Sequence, residues 1–211
     1  MKILFITKKL YNTPLGGREQ LSINLQFCLS SIFKDNFFKY ELERSKKNYL
    51  YYFFSLFGNI DGVNKFSINQ IINHIKNNNI NKIFIDGSNL GLISQKIKNE
   101  KLKVEVYTFF HNVESHFFKE LFETNKTIKK FMTWFVIHYI EKKSIKFSDK
   151  IICLSDRDNN LLHRLYNRSA NFIFPMIMQD KLFNKHEKKN LSSNNEKYIL
   201  FVGGNFYGNI H

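Results

Sequence analysis

Short apolar runs alternate with amphipathic stretches along most of the chain. Runs rich in Ile, Val or Phe occupy residues 2–7, 82–86, 103–109, 150–154 and 171–174. Each run is short and continuous, which is typical of strands buried on both faces of a parallel sheet. The sequence therefore predicts five such strands. Residues 40–57 join an alternating start to the aromatic run YLYYFFSLF, and we interpret this segment as one strand or more.

The stretches between these runs repeat their apolar residues at helical spacing. Residues 18–33 do so with leucines, residues 66–76 with isoleucines, and residues 127–147 form a longer aromatic segment. The helix predicted at 156–166 begins with Ser155 and Asp158, a pair spaced as in a capping box. Strands that alternate with helices predict an α/β fold with a doubly wound parallel sheet and right-handed crossovers.

The character of the chain changes after Pro175. We expect one domain over residues 1–178, followed by a polar, aperiodic linker over residues 179–196. Residues 197–211 then contain the strand-like YILFV and a glycine pair, Gly203 and Gly204. A strand and a turn cannot form a domain alone, so we interpret this end as the beginning of a truncated second domain.

Composition narrows the classes of protein. A hydrophobic content of 43% excludes a disordered chain. The net charge of +14 favours either an anionic partner or a solvated lysine-rich surface, and both readings stay open. Cys28 and Cys153 have no metal-ligand or redox spacing, which predicts buried, reduced thiols and a cytoplasmic protein. No window approaches the roughly 20 apolar residues of a membrane span, and no export signal is evident.

A glycine pair marks the first candidate site. Gly16 and Gly17 follow the first predicted strand and precede the first helix, where backbone N–H groups would face a phosphate without obstruction. The complete dinucleotide fingerprint and the P-loop signature are both missing. A turn that merely opens the helix is the alternative interpretation.

The second candidate is TFFHNVESH, which follows the strand predicted at residues 103–109. His111 would emerge at the carboxyl edge of the sheet, where an imidazole can bond a sugar hydroxyl or handle a proton. Asn112 and Glu114 add polar groups, although Glu114 would equally suit the first turn of a following helix. A metal site of His111, Glu114 and His116 does not fit the known spacings, so we expect none.

Other strand ends could line the same crevice. Asp86 ends the strand at residues 82–86 and Ser88 follows it in the turn, while Ser155 follows the strand at residues 150–154. These residues either contribute to a crevice or belong to ordinary turns.

The aromatic residues between 49 and 57, preceded by Lys46 and Lys47, allow two interpretations. They are either an interfacial patch for anionic lipid or part of the core. Core packing is the interpretation that we favour here, because Phe is abundant throughout the chain.

Taken together, these motifs resemble the N-terminal half of a GT-B glycosyltransferase of the family 4-like group, which builds bacterial polysaccharides and glycolipids. Four segments carry the resemblance: MKILFIT with its glycine loop, FFHNVES, EKKSIKFSDKIICLSDRD, and FVGGNFYGNIH. The resemblance implies a Rossmann-like domain that holds the acceptor. It also implies transfer of a sugar from a nucleotide-sugar donor to a saccharide or lipid-linked acceptor, without a metal or other cofactor.

The resemblance also assigns roles to residues. Gly16 and Gly17 would approach the donor diphosphate, and His111 would contact the donor sugar as the catalytic residue. The family's basic pair and glutamate motif belong to the second domain and have no counterpart here, so we expect this chain alone to be nearly inactive. A lipid-linked acceptor would suit peripheral contact with the inner face of an anionic membrane.

Two rival functions have a basis in the sequence. The first is a non-enzymatic Rossmann-like module that binds a nucleotide or a protein. The second is a nucleic-acid binder, which only the charge suggests. No recognised motif supports nucleic-acid binding, and we expect no such partner.

Overall fold

The computed structural model describes residues 1–11, 16–43 and 49–175. The predicted linker at 179–196 and the predicted second-domain start at 197–211 lie outside the described residues. The strands are β1 (Ile3–Lys8), β2 (Phe37–Leu42), β3 (Lys82–Asp86), β4 (Glu105–Phe110), β5 (Lys150–Cys153) and β6 (Phe172–Ile173). The helices are α1 (Gly17–Phe33), α2 (Tyr49–Ser55), α3 (Lys65–Asn77), α4 (Gly91–Asn99), α5 (Glu114–Thr124), α6 (Ile128–Phe147) and α7 (Asp156–Tyr166).

The six strands form one sheet in the order β2-β1-β3-β4-β5-β6, and every neighbouring pair is parallel. The five strands predicted from apolar runs are all present, and the prediction of a doubly wound, Rossmann-like α/β fold is confirmed. Because the strands are parallel, the loops that follow β1, β3, β4 and β5 leave the sheet at one edge. That edge carries most of the candidate residues.

Different helices pack on the two faces of the sheet. Alternate residues of a strand point to opposite faces. Phe5 of β1 packs with Leu21 and Leu25 of α1 on one face. Its neighbours Leu4 and Ile6 point to the other face and join the isoleucines of α3 and α4. The end of β4 and strand β5 pack on that second face against residues of α6 and α7. Continuous apolar strands are thus buried from both sides.

The segment at residues 40–57 differs from its interpretation as strand. It contains the end of β2 and then the helix α2. Tyr49, Phe53 and Phe57 are 95%, 57% and 60% exposed. The interpretation of this aromatic run as core packing is therefore wrong for these residues.

Helix α4 has no strong signal in the sequence, since it is only nine residues long and begins with glycine. A Cβ atom at Gly91 would lie 2.2 Å from the carbonyl oxygen of Ile140 and 2.6 Å from the amide nitrogen of Ser144. Glycine is thus required where α4 crosses the backbone of α6.

The two cysteines are free thiols. Cys153 is fully buried in the core beside α7, whereas Cys28 on α1 is half-buried. Burial raises the pKa of the Cys153 thiol. Among the described residues, no helix is long and apolar enough to cross a membrane.

Candidate functional site

A buried hydrogen-bonded chain joins three neighbouring strands at the carboxyl edge. The imidazole Nε2 of His111, which follows β4, lies 2.7 Å from Oδ1 of Asp86 at the end of β3. The hydroxyl of Thr7 in β1 donates to Oδ2 of the same carboxylate over 2.6 Å. All three residues are at most 5% exposed. These hydrogen bonds therefore fix the orientation of the His111 imidazole at the sheet edge.

The carboxylate determines which imidazole nitrogen carries the proton. A carboxylate only accepts hydrogen bonds, so Nε2 of His111 is the donor, and in a neutral imidazole the other nitrogen, Nδ1, then has the free lone pair. Nδ1 is buried and has no hydrogen-bond partner among the described residues. Nδ1 is therefore a buried acceptor without a described partner, and His111 does not belong to the lining of the cavity that Lys8 and Arg18 line.

Asp86 is held in its ionised form. Burial is the largest influence and would raise the pKa of its carboxyl group. Hydrogen bonds from His111 and from the hydroxyls of Thr7 and Ser22 outweigh burial and lower that pKa below its ordinary value.

A second polar group surrounds Asp61, which precedes α3. The ammonium of Lys8, the last residue of β1, lies 2.6 Å from the Asp61 carboxylate. The Asn89 amide donates to the same carboxylate, and its Oδ1 accepts from the Arg18 guanidinium over 3.1 Å. Burial, followed by the charge of Arg18, lowers the pKa of Lys8, although Asp61 opposes both effects. Two cations are thus held close together at the start of α1 and the end of β1.

Gly87 provides the space for Arg18. Gly87 has a φ of +134°, a backbone conformation that residues with a side chain rarely adopt. A Cβ atom at Gly87 would lie 2.7 Å from Nη2 of Arg18 and equally close to Oδ1 of Asn89. Glycine after β3 therefore permits the guanidinium to lie across the turn.

These polar groups line a cavity of about 790 Å³. Polar residues on one side come from the sheet edge and the adjoining loops and helix starts: Lys8, Arg18, Asp61, Asn89 and Glu114. Ser55 of α2 and Lys129 and Thr133 of α6 add polar groups on the other side. The opposite wall is mainly apolar and comes from α2, α5 and α6: Phe53, Leu56, Phe118, Met132, Val136 and Ile137. Cavities of small-molecule sites are roughly 300–1,000 Å³, and this one lies within that range.

Glu141 of α6 holds the loop that carries His111. Its fully buried carboxylate accepts hydrogen bonds from the backbone N–H groups of Glu114 and Ser115 over 2.9 and 3.1 Å. The Tyr166 hydroxyl donates to it as well, over 2.7 Å. Burial nevertheless raises the pKa of Glu141, while burial and the Glu141 charge raise the pKa of Tyr166. The start of α5 is thereby fixed relative to α6.

The predicted glycine pair lies at the start of α1 and is exposed. Gly16 is the extended N-cap residue, and a Cβ atom at either glycine would meet no atom of the described residues within 4 Å. Gly16 and Gly17 do not line the cavity, but Arg18, the next residue, does. The pair therefore flanks the cavity on the side of β1.

The remaining predicted residues separate into different roles. Glu114 lines the cavity, whereas Asn112 is exposed. Ser88 is buried in a turn, and its carbonyl oxygen accepts from the Ser144 hydroxyl over 2.7 Å. The predicted cap of α7 is confirmed, because the Ser155 hydroxyl accepts from the Asp158 N–H and donates to its carboxylate.

The combination of His111, Glu114 and His116 does not form one cluster of ligands. His111 is bonded to Asp86, and Nδ1 of His116 lies 3.5 Å from a carboxylate oxygen of Glu120. Over residues 1–11, 16–43 and 49–175, no group of three or more His, Cys, Asp or Glu residues could hold a metal ion.

Several residues of the site carry no signal that we recognised in the sequence. Arg18 directly follows the glycine pair and Lys8 ends the first strand, so their positions alone could have suggested them. Asp61 and Asn89 lie in loops whose approach depends on the folded chain. Glu141 stands inside a helix with no local sign of its burial.

Comparisons of the chain with protein-family models and with curated proteins found no match. The class that its geometry defines is a doubly wound, Rossmann-like α/β domain with a cavity at the carboxyl edge of the sheet. Ligands of open α/β sheets bind at this edge.

Proposed function

We propose that the chain is the acceptor-side, N-terminal part of a GT-B-like glycosyltransferase, a hexosyltransferase that uses a nucleotide-sugar donor. In this reaction the acceptor hydroxyl oxygen bonds to the anomeric carbon of the sugar. The bond from that carbon to the donor diphosphate breaks, and the hydroxyl proton leaves. The chain's part is to place the two substrates against each other at the carboxyl edge of the sheet.

The observation that carries this proposal is the His111–Asp86 pair. Its hydrogen bond leaves Nδ1 of His111 with a free lone pair, buried and without a described partner. Such an atom accepts a hydrogen bond from a hydroxyl, and sugars offer hydroxyls on every side. An unpartnered buried acceptor costs stability unless a ligand satisfies it. This favours a hydroxyl-bearing ligand beside His111.

Two further features support separate places for the donor and the acceptor. The exposed Gly16 and Gly17 leave the first N–H groups of α1 open to a diphosphate. The cavity beside them has a polar edge and an apolar wall, which suits an acceptor with both kinds of surface. The donor would thus approach over the glycine pair and the acceptor would occupy the cavity.

The test is calorimetric titration of the full chain with uridine, guanosine, adenosine and thymidine diphosphates. We expect weak, saturable binding of at least one diphosphate. Gly17→Val and His111→Ala should each weaken it severalfold, while the control His163→Ala on α7 should not. Gly17→Val adds a side chain in open space, so its effect is separable from misfolding. Binding that neither variant weakens would favour the rival, a non-enzymatic nucleotide-binding module, and absent binding would reject the donor role.

We also propose peripheral contact with an anionic membrane. Exposed apolar side chains include Phe53 of α2, which lines the cavity, Phe57 just after α2, and Phe135 of α6. Lys126 and Lys129 lie near the start of α6. Aromatic residues with nearby lysines are typical of surfaces that lie at lipid headgroups. Lys46 and Lys47 lie outside the described residues.

Co-flotation with vesicles tests this contact. The chain should float with vesicles that contain phosphatidylglycerol. With vesicles of phosphatidylcholine alone, it should stay unbound in the bottom fraction. A double Phe53→Ser, Phe57→Ser variant should lose the association, while Phe66→Ser, an equally exposed position on α3, should keep it. Equal behaviour of the two variants would contradict the contact.

A further inference from the structure

The two halves of the cavity demand different chemistry from one ligand. Lys8 and Arg18 lie at the sheet edge, while Leu56 of the α2 turn and Met132 and Val136 of α6 form the facing wall. A fully polar ligand would leave that wall without contacts, and a fully apolar one would desolvate the cations. The ligand that fits has one charged end and one hydrocarbon end.

Arg18 is the residue at which the charged end of the ligand would bind. Lys8 is already paired with Asp61. The Arg18 guanidinium is bonded to the neutral Asn89, and no carboxylate of the described residues lies within ion-pair distance of it. The lining as a whole has three cations, Lys8, Arg18 and Lys129, against the carboxylates of Asp61 and Glu114. An anion at Arg18 would therefore restore neutrality.

The guanidinium is also held in place before any ligand arrives. Asn89 is itself oriented, because its amide donates to Asp61 while its oxygen accepts from Arg18. A Cβ atom at Gly87 would occupy space against the guanidinium. A planar, oriented guanidinium matches the oxygens of a phosphate group, which it binds through paired N–H donors.

We propose that this cavity binds a lipid phosphate, with the phosphate at Arg18 and the hydrocarbon chain between α2 and α6. The inference rests on the proposed function in one respect, namely that this ligand would be the acceptor or the lipid that carries it. The volume of about 790 Å³ holds the phosphate and the first part of a chain. The remainder would leave past Phe53, which lines the cavity and is 57% exposed.

Calorimetric titration of the full chain with three probes tests the assignment: farnesyl phosphate below its aggregation limit, farnesol, and inorganic phosphate. Farnesyl phosphate should bind, and the other two should bind at least about tenfold more weakly. Arg18→Gln should weaken farnesyl phosphate about tenfold or more, since a charged hydrogen bond is lost. Arg157→Gln, an exposed arginine of α7 outside this cavity, is the matched control.

The apolar half is tested with Phe53→Ser, for which Phe66→Ser is the control because this α3 side chain is also exposed but does not line the cavity. Only the first should weaken farnesyl phosphate. Farnesol that binds as tightly as farnesyl phosphate, or an Arg18→Gln variant that binds normally, would overturn the phosphate assignment. Inorganic phosphate of equal affinity would overturn the lipid assignment. Uridine monophosphate of equal affinity would point to a nucleotide site instead.

The outcome is separable from that of the proposed function. Farnesyl phosphate binding without any nucleoside diphosphate binding would leave the lipid phosphate site in place and remove the donor role. The reverse result would retain the donor role and reject this ligand.

Discussion

Replacing Asp86 by Asn tests how strongly the sheet edge depends on one buried charge. The Asp86 carboxylate receives hydrogen bonds of 2.7 and 2.6 Å from His111 and Thr7, and both partners are buried. Asparagine has nearly the same shape and keeps one acceptor oxygen, but it has no charge. The substitution therefore removes the charge with little change in packing.

The magnitude follows from the two bonds. A hydrogen bond to a charged group contributes about 1.5–3 kcal/mol, against about 0.5–1.5 kcal/mol for a neutral one. Exchanging two bonds of the first kind for the second predicts a loss of roughly 2–3 kcal/mol in the free energy of unfolding. Relief of burying the charge offsets only part of this loss, because the pKa of Asp86 is lowered in the folded protein and folding therefore favours the carboxylate.

Urea unfolding at pH 7 measures the loss, and its pH dependence checks the cause. A lowered pKa gives a stabilising contribution that is present above the ordinary value of 3.8 and is lost as the pH falls through the folded value. The difference between wild type and Asp86→Asn should therefore shrink in acid.

Asp149→Asn is the control, since that side chain is 38% exposed and accepts from Lys98 and the Val106 N–H. Solvent screening limits its expected loss to about 1 kcal/mol or less. Equal losses for Asp86→Asn and Asp149→Asn would refute the reasoning.

Three further substitutions probe the frame around the site. Burial raises the pKa of Glu141, so the stability of the wild type should fall as the pH rises above 4.5, the ordinary pKa of a glutamate. Glu141→Gln should remove this pH-dependent contribution, which urea titrations at pH 5 and 7.5 would measure. Parallel pH profiles of the wild type and the variant would argue against this role of Glu141. Gly91→Ala places a Cβ atom 2.2 Å from a backbone oxygen of α6 and should cost about 1–3 kcal/mol in thermal unfolding, whereas an unchanged midpoint would exclude the close helix crossing. In Gly17→Ala the new Cβ atom meets no atom of the described part of the chain within 4 Å, so the substitution should leave stability unchanged or raise it by less than about 1 kcal/mol. A clear loss would show that the glycine is structurally required.

The sheet was the most predictable part of the molecule. A strand that is buried on one face only alternates apolar and polar residues. Continuous apolar runs such as residues 82–86 therefore indicate interior strands of a parallel sheet, which are buried on both faces. The aromatic run at 49–57 misled the prediction because Phe and Tyr have high strand propensity. In the structure most of that run is the helix α2, and Tyr49, Phe53 and Phe57 are exposed.

The candidate site was predictable only in its strand-end positions. His111 and Asp86 follow or end strands, so their shared edge follows from parallel topology. Their direct hydrogen bond depends on β3 and β4 being neighbours, which the order of elements in the sequence does not fix. Arg18 likewise reaches Asn89 only because Gly87 leaves space, and that contact joins residues 71 positions apart.

The most direct test of the central claim is nuclear magnetic resonance of the ¹⁵N-labelled chain during titration with the nucleoside diphosphate that binds best. We predict that the amide signals of Gly16 and Gly17 and the Nδ1 signal of His111 shift together, with one shared saturation curve. Shifts of the glycine amides while Nδ1 stays constant up to saturation would contradict a single donor site between them.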